Sequence, residues 1–354
     1  MLAACTSASS ASPVPAASVV VKAPPTPDHD HKRSHHHPYG ATQPAGTLRT
    51  RLEMPGGIVA LAAGPSSVFA LVNERTNDGA VPVAIGGSGQ IQQGGPINLP
   101  TGHPTMIAFA GGTPWVADRD GDVMQLDPAS LSVVRTVSAT GPVVRLDASS
   151  GRLWVFTRDA AIGLDPWTGA RLVAIPTPFD IIAGAAAPNG ASVYVAVSHV
   201  DHTGHVDLFE MDPRTGAIVA RTTDGDSELG GVSGLTATPS GVWIAYPTGM
   251  MGSGDFARRS DLHHQRGGPE ATGWIGGTNA IRLFRVGRRI WQSSGGLECF
   301  DPKTGKELGL AVPEQKQVYG LGQVGVETMG RLDVVAAKGR WLWRIRPPTT
   351  CPTR

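Results

Sequence analysis

The sequence predicts an all-β fold made of repeated short units. Glycine (46 residues) and proline (29 residues) are abundant, whereas charged residues supply only 17% of the 354 residues, which favours short strands and many turns over a helical bundle. A short apolar strand with a central aromatic residue recurs at Phe69, Trp115, Trp154, Tyr194, Trp243 and Trp291. A seventh copy, Leu332-Asp333-Val334-Val335, lacks the aromatic residue. Units spaced by 39 to 49 residues predict a seven-bladed β-propeller of four-stranded blades.

A tight turn keeps phase with the aromatic strand in four of these units. The turn begins with Asp-Pro, at Asp127, Asp165, Asp212 and Asp301. Proline presets φ, aspartate accepts hydrogen bonds from the backbone that follows, and glycine takes positive φ before the next strand. Each unit is therefore predicted to run strand, turn, aromatic strand, loop, strand, Asp-Pro turn, strand.

The aromatic side chains at the blade centres are expected to be core residues and not a cofactor cage. A strand buried between neighbouring blades needs large, flat side chains to fill the space between the two sheets. This expectation applies to Trp115, Trp154, Trp243 and Trp291.

The chain is expected to divide into four segments. Met1-Leu2-Ala3-Ala4-Cys5 resembles a bacterial lipobox, so residues 1–5 are interpreted as the remnant of a truncated signal peptide whose Cys5 is lipidated. Residues 6–45, rich in Pro, Ser and His, are predicted to be a disordered tether. Its histidines, five within residues 29–37, either bind a divalent metal loosely or belong to a solvated linker. The propeller follows over 46–346, and 347–354 form a C-terminal tail.

The N-terminal strand is predicted to close the ring. Residues 46–54 resemble the outer strand of another unit, 131–136, while the last unit runs into Pro347-Pro348 without an outer strand of its own. We expect 46–54 to supply that missing fourth strand and to cover the open edge of the last blade.

Two cysteines remain if Cys5 carries lipid. An even number of cysteines outside the reducing cytoplasm predicts a disulfide between Cys299 and Cys351, and the alternative is two unrelated thiols. Closure of a loop of about 50 residues would stabilise the fold by about 4 kcal/mol on the chain-entropy model.

The aromatic strand followed by Asp-Pro-x-Thr-Gly, as in Asp212-Pro213-Arg214-Thr215-Gly216, resembles the secreted bacterial propellers of the YVTN, quinoprotein-like and streptogramin-lyase-like groups. The resemblance covers residues 57–346. It implies a seven-bladed, extracytoplasmic propeller, and for the lyase-like group it implies a metal and a histidine general base at the mouth of the channel.

Function on such a fold is expected in the loops around the channel mouth. The loop of the fourth unit is about six residues longer than its counterparts and contains His199, Asp201, His202 and His205. Imidazole and carboxylate groups at this spacing suit a divalent metal. The alternatives are contacts with another ligand or a polar surface loop.

The fifth unit has no Asp-Pro turn and carries a long Gly-rich insertion. Its Arg258, Arg259 and His263 are candidates for a lid, an anion clamp or a partner-binding loop. Further candidate ligand contacts on the same rim are Asn73, Arg75, His103, Asp118 and Arg119.

Charge and composition narrow the class of partner. A net charge of +1 gives no electrostatic footprint for nucleic acid, and no apolar run is long enough to span a bilayer, so membrane association is expected only through a lipid anchor. The leading hypothesis is a monomeric scaffold, anchored to the outer face of the bacterial cell membrane, that binds a protein or small molecule at its loop face without chemistry of its own. The alternative is a metal-dependent, lyase-like enzyme with its site at the channel mouth. No cofactor is predicted apart from a divalent metal in that alternative.

Overall fold

The computed structural model describes residues 44–73, 80–97, 104–198, 206–224, 232, 234–239, 241–246, 256–260, 274–276, 282–293, 297–311, 324–330 and 332–353. All of them belong to one compact unit, Gln43–Arg354. These ranges contain 28 strands. No helix within them has the length and apolar character needed to cross a membrane.

The strands are grouped in antiparallel sheets of four, in chain order from the first blade. Blade 1 consists of β2 (Gly57–Ala63), β3 (Ser67–Asn73), β4 (Ala80–Gly86) and β5 (Ile91–Gln93). Blade 2 consists of β6 (Met106–Ala110), β7 (Thr113–Ala117), β8 (Asp122–Leu126) and β9 (Val133–Ser138). Blade 3 consists of β10 (Val143–Ser149), β11 (Arg152–Thr157), β12 (Ala160–Leu164) and β13 (Arg171–Pro176). Blade 4 consists of β14 (Asp180–Ala186), β15 (Val193–Ser198), β16 (Val206–Met211) and β17 (Ile218–Asp224).

Three further sheets follow the same order. Blade 5 consists of β18 (Gly234–Thr238), β19 (Gly241–Tyr246), β20 (Phe256–Ser260) and β21 (Trp274–Gly276). Blade 6 consists of β22 (Arg282–Val286), β23 (Arg289–Ser293), β24 (Leu297–Phe300) and β25 (Glu307–Leu310). Blade 7 consists of β26 (Val326–Met329), β27 (Asp333–Lys338), β28 (Trp341–Arg346) and β1 (Thr47–Glu53).

The first strand of each blade is the innermost one. These strands contact one another in the order β2, β6, β10, β14, β18, β22 and β26, and β26 in turn contacts β2. They therefore surround a central channel, and the prediction of an all-β propeller with four-stranded antiparallel blades is confirmed.

The N-terminal segment contacts the outer strands of the last two blades. β1 pairs antiparallel with β28, from Thr47 opposite Arg346 to Glu53 opposite Trp341. Just before β1, the backbone N–H of Gly46 donates to the carbonyl of Leu310 on β25 at 2.9 Å. The outer edge of β28 is thereby covered by a strand from the other end of the chain.

Large aromatic side chains fill the space between blades, as the sequence predicts. The indole side chains at the blade centres are at most 1% exposed, namely Trp115, Trp154, Trp243 and Trp291. Each lies on the second strand of its blade, where it packs with apolar residues of the same or a neighbouring blade. The prediction that they form the core is confirmed.

The Asp-Pro turns connect the third and fourth strands and also link neighbouring blades. In each turn the aspartate Oδ1 accepts two backbone N–H groups, as in Asp212, which bonds Arg214 at 2.6 Å and Thr215 at 3.1 Å. In three of the four turns the proline carbonyl accepts a hydrogen bond from the preceding blade. The donors are Gln125 Nε2 to Pro166 at 3.2 Å, Arg152 Nη1 to Pro213 at 2.6 Å and Trp243 Nε1 to Pro302 at 3.0 Å.

Cys299 on β24 and Cys351 form a disulfide, which confirms that prediction. The tail around Cys351 is also held by hydrogen bonds, because the hydroxyl of Thr350 donates to the carbonyl of Leu308 at 2.8 Å. The disulfide therefore fastens the C-terminal tail to blade 6.

Candidate functional site

Most of the loop residues predicted from the sequence lie outside the described ranges. This holds for the lipidation site Cys5, the proposed metal ligands His199, Asp201, His202 and His205, and the rim residues Arg75, His103 and His263. Within the part of the chain that the structure describes, no three His, Cys, Asp or Glu side chains are grouped closely enough to hold a metal ion.

Arg258 and Arg259 occupy a strand and not a loop. Both lie on β20, the third strand of blade 5, where Arg258 is opposite Ile244 and Arg259 is opposite Trp243. This corrects the interpretation of one long insertion between Tyr246 and Thr278. The segment Phe-Ala-Arg-Arg-Ser has little apolar alternation and no Asp-Pro turn follows it, so its strand character is weak in the sequence.

Asp118 belongs to the turn between β7 and β8. Its side chain is 1% exposed, and its Oδ1 accepts the backbone N–H groups of Asp120, Gly121 and Asp122 at 2.9–3.0 Å. This carboxylate orders the turn, and a role for Asp118 as a ligand contact stays a prediction. Asn73, at the end of β3, and Arg119 are exposed, as a rim contact requires.

The described residues enclose a cavity of about 390 Å³ in the central channel. Its walls come from the innermost strands β2, β6, β10, β18, β22 and β26 and the residues beside them. Most of the lining residues are aliphatic, but the surface that faces the cavity is more polar than apolar, and four charged side chains line it. They are Arg145 and Asp147 on β10, Arg285 on β22 and Glu327 on β26.

The two arginines of the channel, Arg145 and Arg285, make no hydrogen bond or ion pair with the described residues, whereas other arginines of the fold, such as Arg344, are paired. Asp147 is engaged by the backbone instead, since its Oδ1 accepts the N–H of Ala148 at 2.8 Å and its Oδ2 accepts the N–H of Ala186 at 2.9 Å. Two guanidinium groups therefore remain available to a ligand in the channel.

Glu327 is held in a setting that disfavours its charge. Burial by the channel walls raises the pKa of its carboxyl to about 8, and the negative charge of Asp147 acts in the same direction. Arg285, Arg145 and the backbone amide of Ala63 lower this pKa without offsetting the burial. Glu327 is therefore mostly protonated at pH 7.

These channel residues were missed in the sequence, although a signal is present. The inner strands of blades 1, 2 and 5 contain no charged residue, whereas those of blades 3, 4, 6 and 7 do. A charged side chain on an innermost strand has to be accommodated in the channel or between blades. Once the blades are aligned on their aromatic strands, this departure from the repeat marks Arg145, Arg285 and Glu327.

Comparison with known proteins supports the fold. No protein-family model matches the chain. No curated protein matches it. Among solved structures, the WD40 β-propeller domain of Doa1 superposes with a TM-score of 0.61 at 11% identity, over 85% of this chain and 97% of that one. Hydrazine synthase from Kuenenia stuttgartiensis superposes with a TM-score of 0.59 at 11% identity, over 82% and 94% of the two chains.

At 11% identity this likeness shows the fold alone. The chain is a β-propeller, a fold that commonly serves as a binding scaffold, with a polar cavity at its axis. Its relation to the YVTN or quinoprotein-like groups stays a prediction.

Proposed function

We propose that this chain is an extracytoplasmic, lipid-anchored propeller that binds a ligand in its central channel and carries out no chemistry of its own. The observation that supports the binding role is the pair of guanidinium groups of Arg145 and Arg285, which line one cavity and make no hydrogen bond or ion pair with the described residues. A ligand that supplies a counter-charge gains charge-assisted hydrogen bonds from these two groups.

The disulfide between Cys299 and Cys351 supports the proposed compartment. Disulfides persist in oxidising surroundings and are rare in the bacterial cytoplasm.

The order Leu2-Ala3-Ala4-Cys5 supports lipidation at Cys5. Mass spectrometry of the N-terminal peptide from the native membrane fraction is expected to show a lipid on Cys5. An unmodified Cys5 in a soluble fraction would remove the anchor from the proposal.

Binding is tested by affinity selection with the full chain immobilised. Wild-type protein and the Arg145→Gln/Arg285→Gln double variant are exposed to the same extract of cell-envelope proteins and metabolites. We expect wild type to retain a component that the double variant releases, and mass spectrometry to recover that component unchanged. Retention of nothing would contradict the binding role, and recovery of a chemically altered component would favour the enzyme alternative.

A further inference from the structure

The polar groups of the channel come from different sides of the ring. Arg145 and Asp147 lie on the inner strand of blade 3, Arg285 on that of blade 6 and Glu327 on that of blade 7. The described part of the lining thus presents two guanidinium groups to a ligand that enters the cavity.

The charge of the lining determines which ligand is compatible with it. The carboxylate of Asp147 accepts hydrogen bonds from two backbone amides, while Glu327 is mostly neutral at pH 7 because burial raises its pKa to about 8. With two guanidinium groups, the described part of the lining therefore carries an excess of about one positive charge. A monoanion cancels that excess, whereas a dianion leaves a net negative charge near Asp147.

The chemistry of the donors favours a carboxylate. A guanidinium group offers parallel N–H donors that match the two oxygens of a carboxylate. A cavity of about 390 Å³ has the size of a small-molecule site, and the aliphatic residues in its lining can contact a small organic body attached to the anionic group.

We propose that the central channel binds a small organic monocarboxylate, whose carboxylate lies between Arg145 and Arg285 and whose apolar part packs on the strand residues of the wall. This inference rests on the proposed binding function and narrows its ligand to a chemical class.

Ionisation of Glu327 opposes such a ligand. The charged groups that face Glu327 are Arg285 on β22 and Arg145 and Asp147 on β10. The wall residues from β2, β6 and β18 are not titratable. On β27, which pairs with β26, Asp333 is held by two arginines and Lys338 lies at the strand end. Binding is therefore expected to weaken as Glu327 ionises above pH 8.

The test uses the full chain and two simple probes, sodium acetate and sodium benzoate, in thermal-shift and calorimetric titrations at pH 6.5. Sodium chloride at equal ionic strength is the reference, and sodium phosphate is a separate arm. We expect saturable binding of at least one carboxylate, weakened at least tenfold by Arg145→Gln or Arg285→Gln. Arg171→Gln, which changes an exposed arginine on the outer strand β13, is the matched control and leaves binding unchanged.

The pH arm separates a channel site from a surface site. Between pH 6.5 and 9, carboxylate binding by wild type is expected to weaken about tenfold, whereas Glu327→Gln flattens this profile. Binding of phosphate in preference to both carboxylates, binding indifferent to both arginine variants, or no binding of either carboxylate would each overturn the proposal. A retained envelope component in the affinity selection would preserve the broader binding role even then.

Discussion

Two carboxyl groups of the last blade experience opposite surroundings. Asp333, whose side chain is 3% exposed, accepts hydrogen bonds from the Nε atoms of Arg344 and Arg346, both at 2.7 Å. Burial opposes ionisation of Asp333, but the two arginines outweigh it and lower its pKa. The pKa of Glu327 is raised because burial there is not offset. Stability is therefore expected to depend on these two groups with opposite sign.

Replacement of Glu327 by Gln should stabilise the protein increasingly as the pH rises from about 4.5 to about 8. The folded-state pKa of about 8 exceeds the ordinary value of 4.5, so the folded chain holds a proton that the unfolded chain loses, and the stability of the wild type falls as the pH rises through this window. We expect Glu327→Gln to raise the free energy of unfolding by about 1–3 kcal/mol at pH 9 and to change it little at pH 5. Urea unfolding at both values measures this, and an equal effect at both would contradict the assignment.

Replacement of Asp333 by Asn should destabilise the protein at neutral pH. The substitution leaves Arg344 and Arg346 without their carboxylate acceptor. We expect the free energy of unfolding to fall by about 2 kcal/mol, since both arginines remain partly solvated. The contribution of a carboxyl with a lowered pKa is present above its unfolded value, 3.8, and disappears as the pH falls through the folded value. The difference in the free energy of unfolding between Asp333→Asn and wild type should therefore become smaller below pH 3.

Glu53→Gln provides the control for this experiment. Glu53 pairs with Arg340, but both side chains are nearly half exposed, and exposed pairs contribute little. We expect a change within about 0.5 kcal/mol. A loss for Glu53→Gln as large as that for Asp333→Asn would show that burial does not distinguish the two pairs.

Among the secondary-structure elements, the Asp-Pro turns combine hydrogen bonds within the turn with hydrogen bonds to the preceding blade. Backbone hydrogen bonds from Arg214 and Thr215 lower the pKa of Asp212, and the same arrangement recurs in the other three turns. The sequence predicts this local geometry because the residue types require it. It does not predict that the proline carbonyls accept hydrogen bonds from the preceding blade, since those donors are Gln, Arg and Trp in different copies.

The N-terminal segment allows a test of how the ring is closed. We infer that the pairing of β1 with β28 closes the ring. Gly46 lies where the N-terminal segment leaves β25 of blade 6 and begins to pair with β28 of blade 7. A Cβ atom on Gly46 would lie 2.1 Å from the carbonyl oxygen of Ala311 and 2.6 Å from that of Arg346, so the segment would have to move away. Gly46→Ala is expected to cost about 2 kcal/mol and to increase proteolysis of the N-terminal strand.

Gly57→Ala is the matched control, because a Cβ atom on Gly57 meets nothing within 4 Å. Its free energy of unfolding should differ from that of wild type by no more than about 0.5 kcal/mol. Equal effects of Gly46→Ala and Gly57→Ala would contradict the role given to the N-terminal segment.

The sequence predicted repeated elements well and the channel poorly, for a physical reason. Each aromatic strand is buried on both faces, so its composition is constrained in the same way in every unit and Trp115, Trp154 and Trp243 show the period. The channel lining differs between blades, because only some inner strands carry a charge. Arg145, Arg285 and Glu327 are far apart in sequence, and only the closed arrangement of inner strands brings them to one cavity.

For the whole molecule, the disulfide and the channel support one account. The bond between Cys299 and Cys351 secures the tail to blade 6, next to the segment that leads into β1. The segment before β1 and the C-terminal tail are both fastened to outer strands, and we expect this to keep the inner strands in place. The channel can therefore hold its charged side chains in a fixed arrangement before a ligand arrives, which lowers the entropic cost of binding.

The central claim is that the ligand site of this propeller is its channel. The most direct measurement is a crystal structure of the protein soaked with 4-bromobenzoate, with the bromine located by anomalous scattering. We expect a bromine peak inside the cavity lined by Arg145 and Arg285, and no such peak in crystals of the Arg285→Gln variant. An empty channel in the soaked wild-type crystal, with the bromine bound elsewhere or absent, would contradict the account.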